Sequence, residues 1–89
     1  MNTADARRAI SAALAQVAPE VSLDEIAPDE PMRAALDLDS LDFLALVEHL
    51  HKLTGVNIAE RDYGDVDSID RLSAYLATHS DTNTTAGMS

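Results

Sequence analysis

The chain contains no cysteine. No disulfide can staple it and no thiolate can hold a metal, so any thiol chemistry needs a thiol brought from outside. Cations are also scarce: six Lys and Arg stand against sixteen Asp and Glu, for a formal net charge of -10. Nucleic acid and anionic membrane are bound through cations that meet phosphates, so neither is an expected partner. Either a protein partner with basic docking patches, steered in by the acidic field, is expected instead, or the charge serves only to keep the protein soluble. No apolar run approaches the ~20 residues needed to span a bilayer. The opening stretch MNTADARRAISAALAQVAPEV has two arginines with no continuous apolar segment after them. It reads as an amphipathic helix rather than a signal peptide, and the protein is expected to be cytoplasmic.

What remains is a small globular chain. Eighty-nine residues make at most one domain, and 46% hydrophobic content is enough to fold it. A chain of this length buries only about 60–65% of its unfolded surface, so the core is thin. Ala6, Ile10, Ala13, Leu14 and Val17 fall on one helical face, after Thr3 as cap and before Pro19 as stop. Residues 18–38 hold three prolines and read as a long connection. Val21, Leu23, Ile26, Met32 and Leu36 recur through it, so it should pack onto the core, with a turn of helix at Met32 to Leu36. A second helix is predicted from about Ser40 to Leu53, capped by Asp39, with Asp42 suited to its positive end and Gly55 stopping it. A short helical segment near Glu60 to Asp65 follows. Ser68 caps a last helix carrying Ile69, Leu72, Tyr75 and Leu76. Residues 80–89, SDTNTTAGMS, have almost nothing to bury and are expected to be a disordered tail. No strand pattern and no internal repeat is present.

The stretch LDLDSLDFLALVEHL places Ser40 between acids at the head of an apolar run. A nucleophile needs a base about 3 Å away. In the second helix His49 would lie on the opposite side and ~13 Å along, and His51 ~16 Å along. No G-x-S-x-G elbow is present. His49 and His51, two residues apart, point to different faces and make no metal pair; no metal site is expected. On the same wheel Phe43, Leu46, Val47, Leu50 and Leu53 form a core stripe. Leu41 and Leu44 leave it and share the side of Ser40 with Glu48 and His51. Two leucines beside a serine suggest a surface that docks something, unless the first loop covers them. A helix start also suits a phosphate, which meets free backbone N–H groups and the positive end of the dipole there.

Asp39-Ser40-Leu41-Asp42, with Leu36 three residues before Asp39 and the second helix immediately after, resembles the acyl carrier protein family. The segment VNIAERDYGDVDSIDRLSAYLATH, with Ile58 and Tyr75, is similar to that family's third and fourth helices. The similarity covers roughly residues 4–79. It implies an all-α four-helix bundle with a long first loop and a short third helix, forming one carrier domain over residues 1–79. It implies that Ser40 carries 4'-phosphopantetheine, transferred from coenzyme A by a magnesium-dependent phosphopantetheinyl transferase. The arm supplies the missing thiol, and acyl groups ride on it as thioesters. The protein is then a monomeric shuttle and not an enzyme. By the same resemblance Asp39 helps the transferase hold its metal. Leu41, Asp42, Leu44 and Glu48 become docking positions for acyl-loading and acyl-processing enzymes. Phe43, Leu44, Leu46, Val47, Leu50, Ile58 and Leu72 are candidates to line an acyl pocket.

The sequence also departs from carriers of bacterial fatty acid synthesis. Asp37 stands where glycine is usual, and Ala45, His51 and Lys52 stand at positions often acidic. Glu48 replaces a common apolar docking residue. The acids sit instead in the first loop, from Glu20 to Glu30, and around the third helix, from Glu60 to Asp70. These departures point to a dedicated carrier in a specialised fatty acid, lipid or polyketide pathway. The alternative is a peptidyl or aminoacyl carrier of a non-ribosomal-peptide-like pathway.

Overall fold

Asn2, and not Thr3, starts the first helix in the computed structural model, which describes residues 1–80 with their side chains. Of the expected tail, only Ser80 is described with its side chain, and Ser89 lies outside the described residues. α1 spans Thr3–Val17, and the Asn2 Oδ1 accepts the N–H of Asp5 at 2.8 Å. The cap belongs to Asn2 because its backbone is still extended, as a cap requires, whereas Thr3 is already helical. α1 buries Ala6, Ile10, Ala13 and Leu14, and ends one residue before the Ala18–Pro19 pair.

The long connection is ordered, as its apolar residues require. Leu23–Glu25 form a 3₁₀ turn capped by Ser22, and Met32–Ala35 form the short α2. Met32 is fully buried and Leu36 nearly so, while Val21, Leu23 and Ile26 lean on the core. Backbone groups then tie the loop down. The Met32 N–H donates to the Asp67 carbonyl at 3.1 Å, and the Asp70 N–H to the Pro28 carbonyl at 3.0 Å. These bonds hold the first loop against the residues that start the last helix, far away in sequence.

Asp37 takes a positive φ of 55°, the only non-glycine to do so among the described residues. That left-handed conformation explains why glycine suits this position, and Asp is among the few other residues that tolerate it. Asp37→Gly is therefore expected to stay within about 1 kcal/mol of the wild type, with relaxed backbone offset by a looser unfolded chain. Asp37→Val should lose about 1–2 kcal/mol. Urea unfolding of the two variants checks this; equal midpoints would show that the backbone here adapts freely.

α3 spans Ser40–Thr54 and buries Phe43, Leu46, Val47 and Leu50. Gly55 ends it in the left-handed conformation, φ 78°, donating its N–H to the His51 carbonyl at 2.8 Å. Leu53, placed in the core stripe by the helical wheel, is 56% exposed. It lies about 70° from the stripe's centre and in the last turn, where the neighbouring helices no longer cover it. The third helical segment, Glu60–Val66, is 3₁₀ and not α. α4 spans Ile69–Met88, with the Ser68 Oγ accepting the Arg71 N–H at 3.1 Å, and buries Ile69, Leu72 and Leu76.

α1 packs against both α3 and α4, and α4 against the 3₁₀ segment. No strand occurs among the described residues. The result is an all-helical bundle with a long, pinned first loop. Among the described residues no helix is long and apolar enough to cross a membrane. Tyr75 bridges α4 and the 3₁₀ segment, its hydroxyl donating to Asp62 Oδ2 at 3.1 Å. Burial, and then the bond to the Asp62 carboxylate, raise the phenol's pKa above its usual value.

Candidate functional site

Ser40 is the first residue of α3 and is exposed. It does not cap the helix. Asp39 does: its Oδ1 accepts the Asp42 N–H at 2.8 Å, while Asp42 Oδ2 accepts the Asp39 N–H at 3.4 Å. This reciprocal capping box fixes the helix start through the two acids. The Ser40 hydroxyl makes no hydrogen bond among the described residues. The spacing of three between Asp39 and Asp42 is the sequence mark of this box, beyond the cap alone expected of Asp39.

Beside Ser40 opens a cleft of about 430 Å³. One wall is α3, with Ser40, Leu41, Phe43 and Leu44; the others are Arg33 of α2 and Glu60 and Tyr63 of the 3₁₀ segment. Phe43 and Tyr63 meet edge to face at 5.2 Å between ring centres. The Arg33 guanidinium lies 5.0 Å from the Phe43 centroid, within cation–π range. Its Nε pairs with Asp67 Oδ1 at 3.4 Å, and the same carboxylate oxygen accepts the Arg33 N–H at 3.0 Å.

The structure separates the expected site residues into two groups. Leu41 is 75% and Leu44 41% exposed, so the first loop does not cover them. Glu48 is exposed further along the helix, and Asp42 is half-buried in its box. Phe43 and Leu44 line the cleft, Phe43 from below as a core residue. Leu46, Val47, Leu50, Ile58 and Leu72 are sealed in the core and do not line it. No histidine lines it either: His49 and His51 lie on α3 beyond it, and His79 stacks on Tyr75. Arg33, Glu60 and Tyr63, which no sequence motif marks, complete the lining. Tyr63 carries one signal, scarcity: it and Phe43 are two of the chain's three aromatics, and they meet here.

The acids of the third segment are less free than their number suggests. Asp67 is tied to Arg33 and Asp62 to Tyr75, while Glu60, Asp65 and Asp70 are exposed. Their repulsion is strongest when the Debye length reaches about 30 Å at 0.01 M salt. Raising salt to 0.15 M should therefore raise the melting temperature modestly, as calorimetry can show. An unchanged or lower value would mean that these carboxylates are too far apart to matter.

A family model described as a phosphopantetheine attachment site matches residues 8–76. The chain belongs to this family. The matched span holds α3, the capping box, Ser40 and every residue of the cleft. No curated protein and no solved structure matches the chain. A domain of this family is the site of covalent 4'-phosphopantetheine attachment. Such domains are generally non-catalytic carriers that interact with a phosphopantetheinyl transferase and with acyl-handling enzymes.

The residues around Ser40 fit such a group. Its hydroxyl is exposed and uncommitted, and it stands at the positive end of a fifteen-residue helix, where a phosphodiester is favoured. A cleft opens beside it.

Proposed function

We propose that the chain carries acyl groups as thioesters on a 4'-phosphopantetheine arm attached to Ser40 and delivers them to partner enzymes. The observation that carries the reading is the exposed Ser40 hydroxyl at the head of α3, held outside the capping box and opening onto a cleft. The arm supplies the reactive thiol, which a chain without cysteine lacks. The protein's own part is to present Ser40 and to shelter the cargo, and it needs no catalytic residue for either.

Asp39 and Asp42 serve twice in this reading. They fix the helix start, and they place carboxylates beside the serine, where Asp39 can help the transferase hold its metal. Leu41 and Leu44, exposed on the same face, offer apolar docking, with Asp42 and Glu48 as carboxylates for basic groups on the partner. The small acidic surface suits a monomer that meets its partners transiently in the cytoplasm. The redistribution of acids away from the exposed face of α3 supports a specialised fatty acid, lipid or polyketide pathway.

Incubation with coenzyme A, magnesium and a phosphopantetheinyl transferase tests the assignment. Intact mass should rise by one phosphopantetheine, and peptide mapping should find it on Ser40. No gain, or an arm on Ser11, Ser68 or Ser73, would overturn the reading.

A further inference from the structure

From the cleft's own chemistry we infer that its cargo bears a carboxylate, held by Arg33; this rests on the carrier reading above. Of the six Lys and Arg in the chain, only Arg33 lines the cleft that Ser40 opens onto. Its position is fixed on three counts. Its backbone N–H is bound to Asp67, its Nε is paired with the same carboxylate, and its guanidinium lies over the Phe43 ring. A side chain held in this way loses little conformational freedom on binding a ligand.

A guanidinium carries five N–H donors in a planar fork, and one ion pair through Nε does not exhaust them. Its side chain is still 37% exposed, so a ligand can reach it. The planar fork matches a carboxylate bidentately. The floor of the cleft, Phe43 and Tyr63 in edge-to-face contact, suits the short apolar stem of such a group.

Two charges oppose the assignment, Asp67 and Glu60. Asp67 already neutralises part of Arg33, but through one oxygen and at 3.4 Å, longer than a strong charge-assisted bond. Glu60 also lines the cleft and repels an anion, but it is exposed. A contact with the part-buried Arg33 is screened roughly four-fold less than one across water at equal distance. The attraction therefore wins at the guanidinium, while Glu60 disfavours anions that stop at the rim. The chain's net charge of -10 gathers no anions at large, so a carboxylate reaches Arg33 only when tethered. The arm on Ser40 is that tether.

The test uses the full chain loaded with succinyl or 4-methylpentanoyl arms from the matching coenzyme A thioesters. These two acyl groups have nearly the same shape and differ in charge. The unacylated arm serves as the third sample. Intact mass first reports loading; failure to load the wild type overturns the carrier reading itself. NMR then follows the Phe43 and Tyr63 rings and the Arg33 Nε–H. The succinyl arm should shift all three, and the other two arms should leave the Nε–H unmoved. Arg33→Gln should abolish the succinyl-specific shifts of the rings, Arg33→Lys should keep part of them, and Glu60→Gln should enlarge them. Circular dichroism should show each variant folded. Equal shifts from both acyl arms, or succinyl shifts that survive in Arg33→Gln, would overturn the inference. An Nε–H shift caused by the unacylated arm would also overturn it, since the phosphodiester would then be the ligand.

Discussion

Ser40→Ala should take up no phosphopantetheine at all while melting within a degree or two of the wild type. The two halves of this result have separate causes. The modification needs an oxygen at this position, and no neighbouring residue of α3 supplies a hydroxyl. The fold does not need it. The side chain is exposed and makes no hydrogen bond among the described residues, and the helix start is held by Asp39 and Asp42. Exposed substitutions of this kind usually change stability by less than about 0.5 kcal/mol. Asp39→Ala provides the contrast, since losing a cap costs about 0.5–2 kcal/mol. It should lower the urea midpoint and slow modification together. Intact mass and urea unfolding on the three proteins read both effects. A Ser40→Ala protein that unfolds would place the hydroxyl in the structure, and one that still gains an arm would place the attachment elsewhere.

The all-helical architecture and the place of Ser40 at a helix start were legible because they depend on local rules. Ala6, Ile10, Ala13 and Leu14 repeat at helical spacing, and Gly55 and Pro19 stop helices where they stand. Leu41 and Leu44 could be placed outside because a helical wheel separates them from Phe43 and Leu50. The errors arise where local rules compete. Asn2 and Thr3 can both cap a helix, and only the backbone conformation decides between them. Leu53 fits the edge of an apolar stripe, but whether a neighbour reaches it depends on where α1 and α4 end. The cleft was not legible at all. Arg33, Ser40 and Tyr63 come from three elements, and what unites them is the set of backbone bonds from Met32, Arg33 and Asp70. No periodicity encodes those bonds.

Leu41→Ala and Leu50→Ala should fail in opposite ways. Leu50 is completely buried between helices, and a core Leu→Ala change costs about 2–5 kcal/mol. A chain of 89 residues has a total stability of only about 4–13 kcal/mol at the usual 0.05–0.15 per residue. The Leu50→Ala protein should therefore show a large drop in urea midpoint, with part of it unfolded even in buffer. Its folded fraction should still be modified at the normal rate. Leu50→Met, which roughly conserves volume and should cost under about 1.5 kcal/mol, supplies a well-folded partner for that rate measurement. Leu41 is 75% exposed one residue from Ser40, so Leu41→Ala should unfold at nearly the wild-type midpoint. An exposed leucine on a docking face acts through the partner, so the same protein should be a poor transferase substrate. Leu44 sits between these cases at 41% exposure, because part of its side chain faces the cleft. Leu44→Ala should cost stability less than Leu50→Ala and slow transfer less than Leu41→Ala. If Leu41→Ala instead loses several kcal/mol while its folded fraction is modified normally, Leu41 belongs to the core and the docking face lies elsewhere.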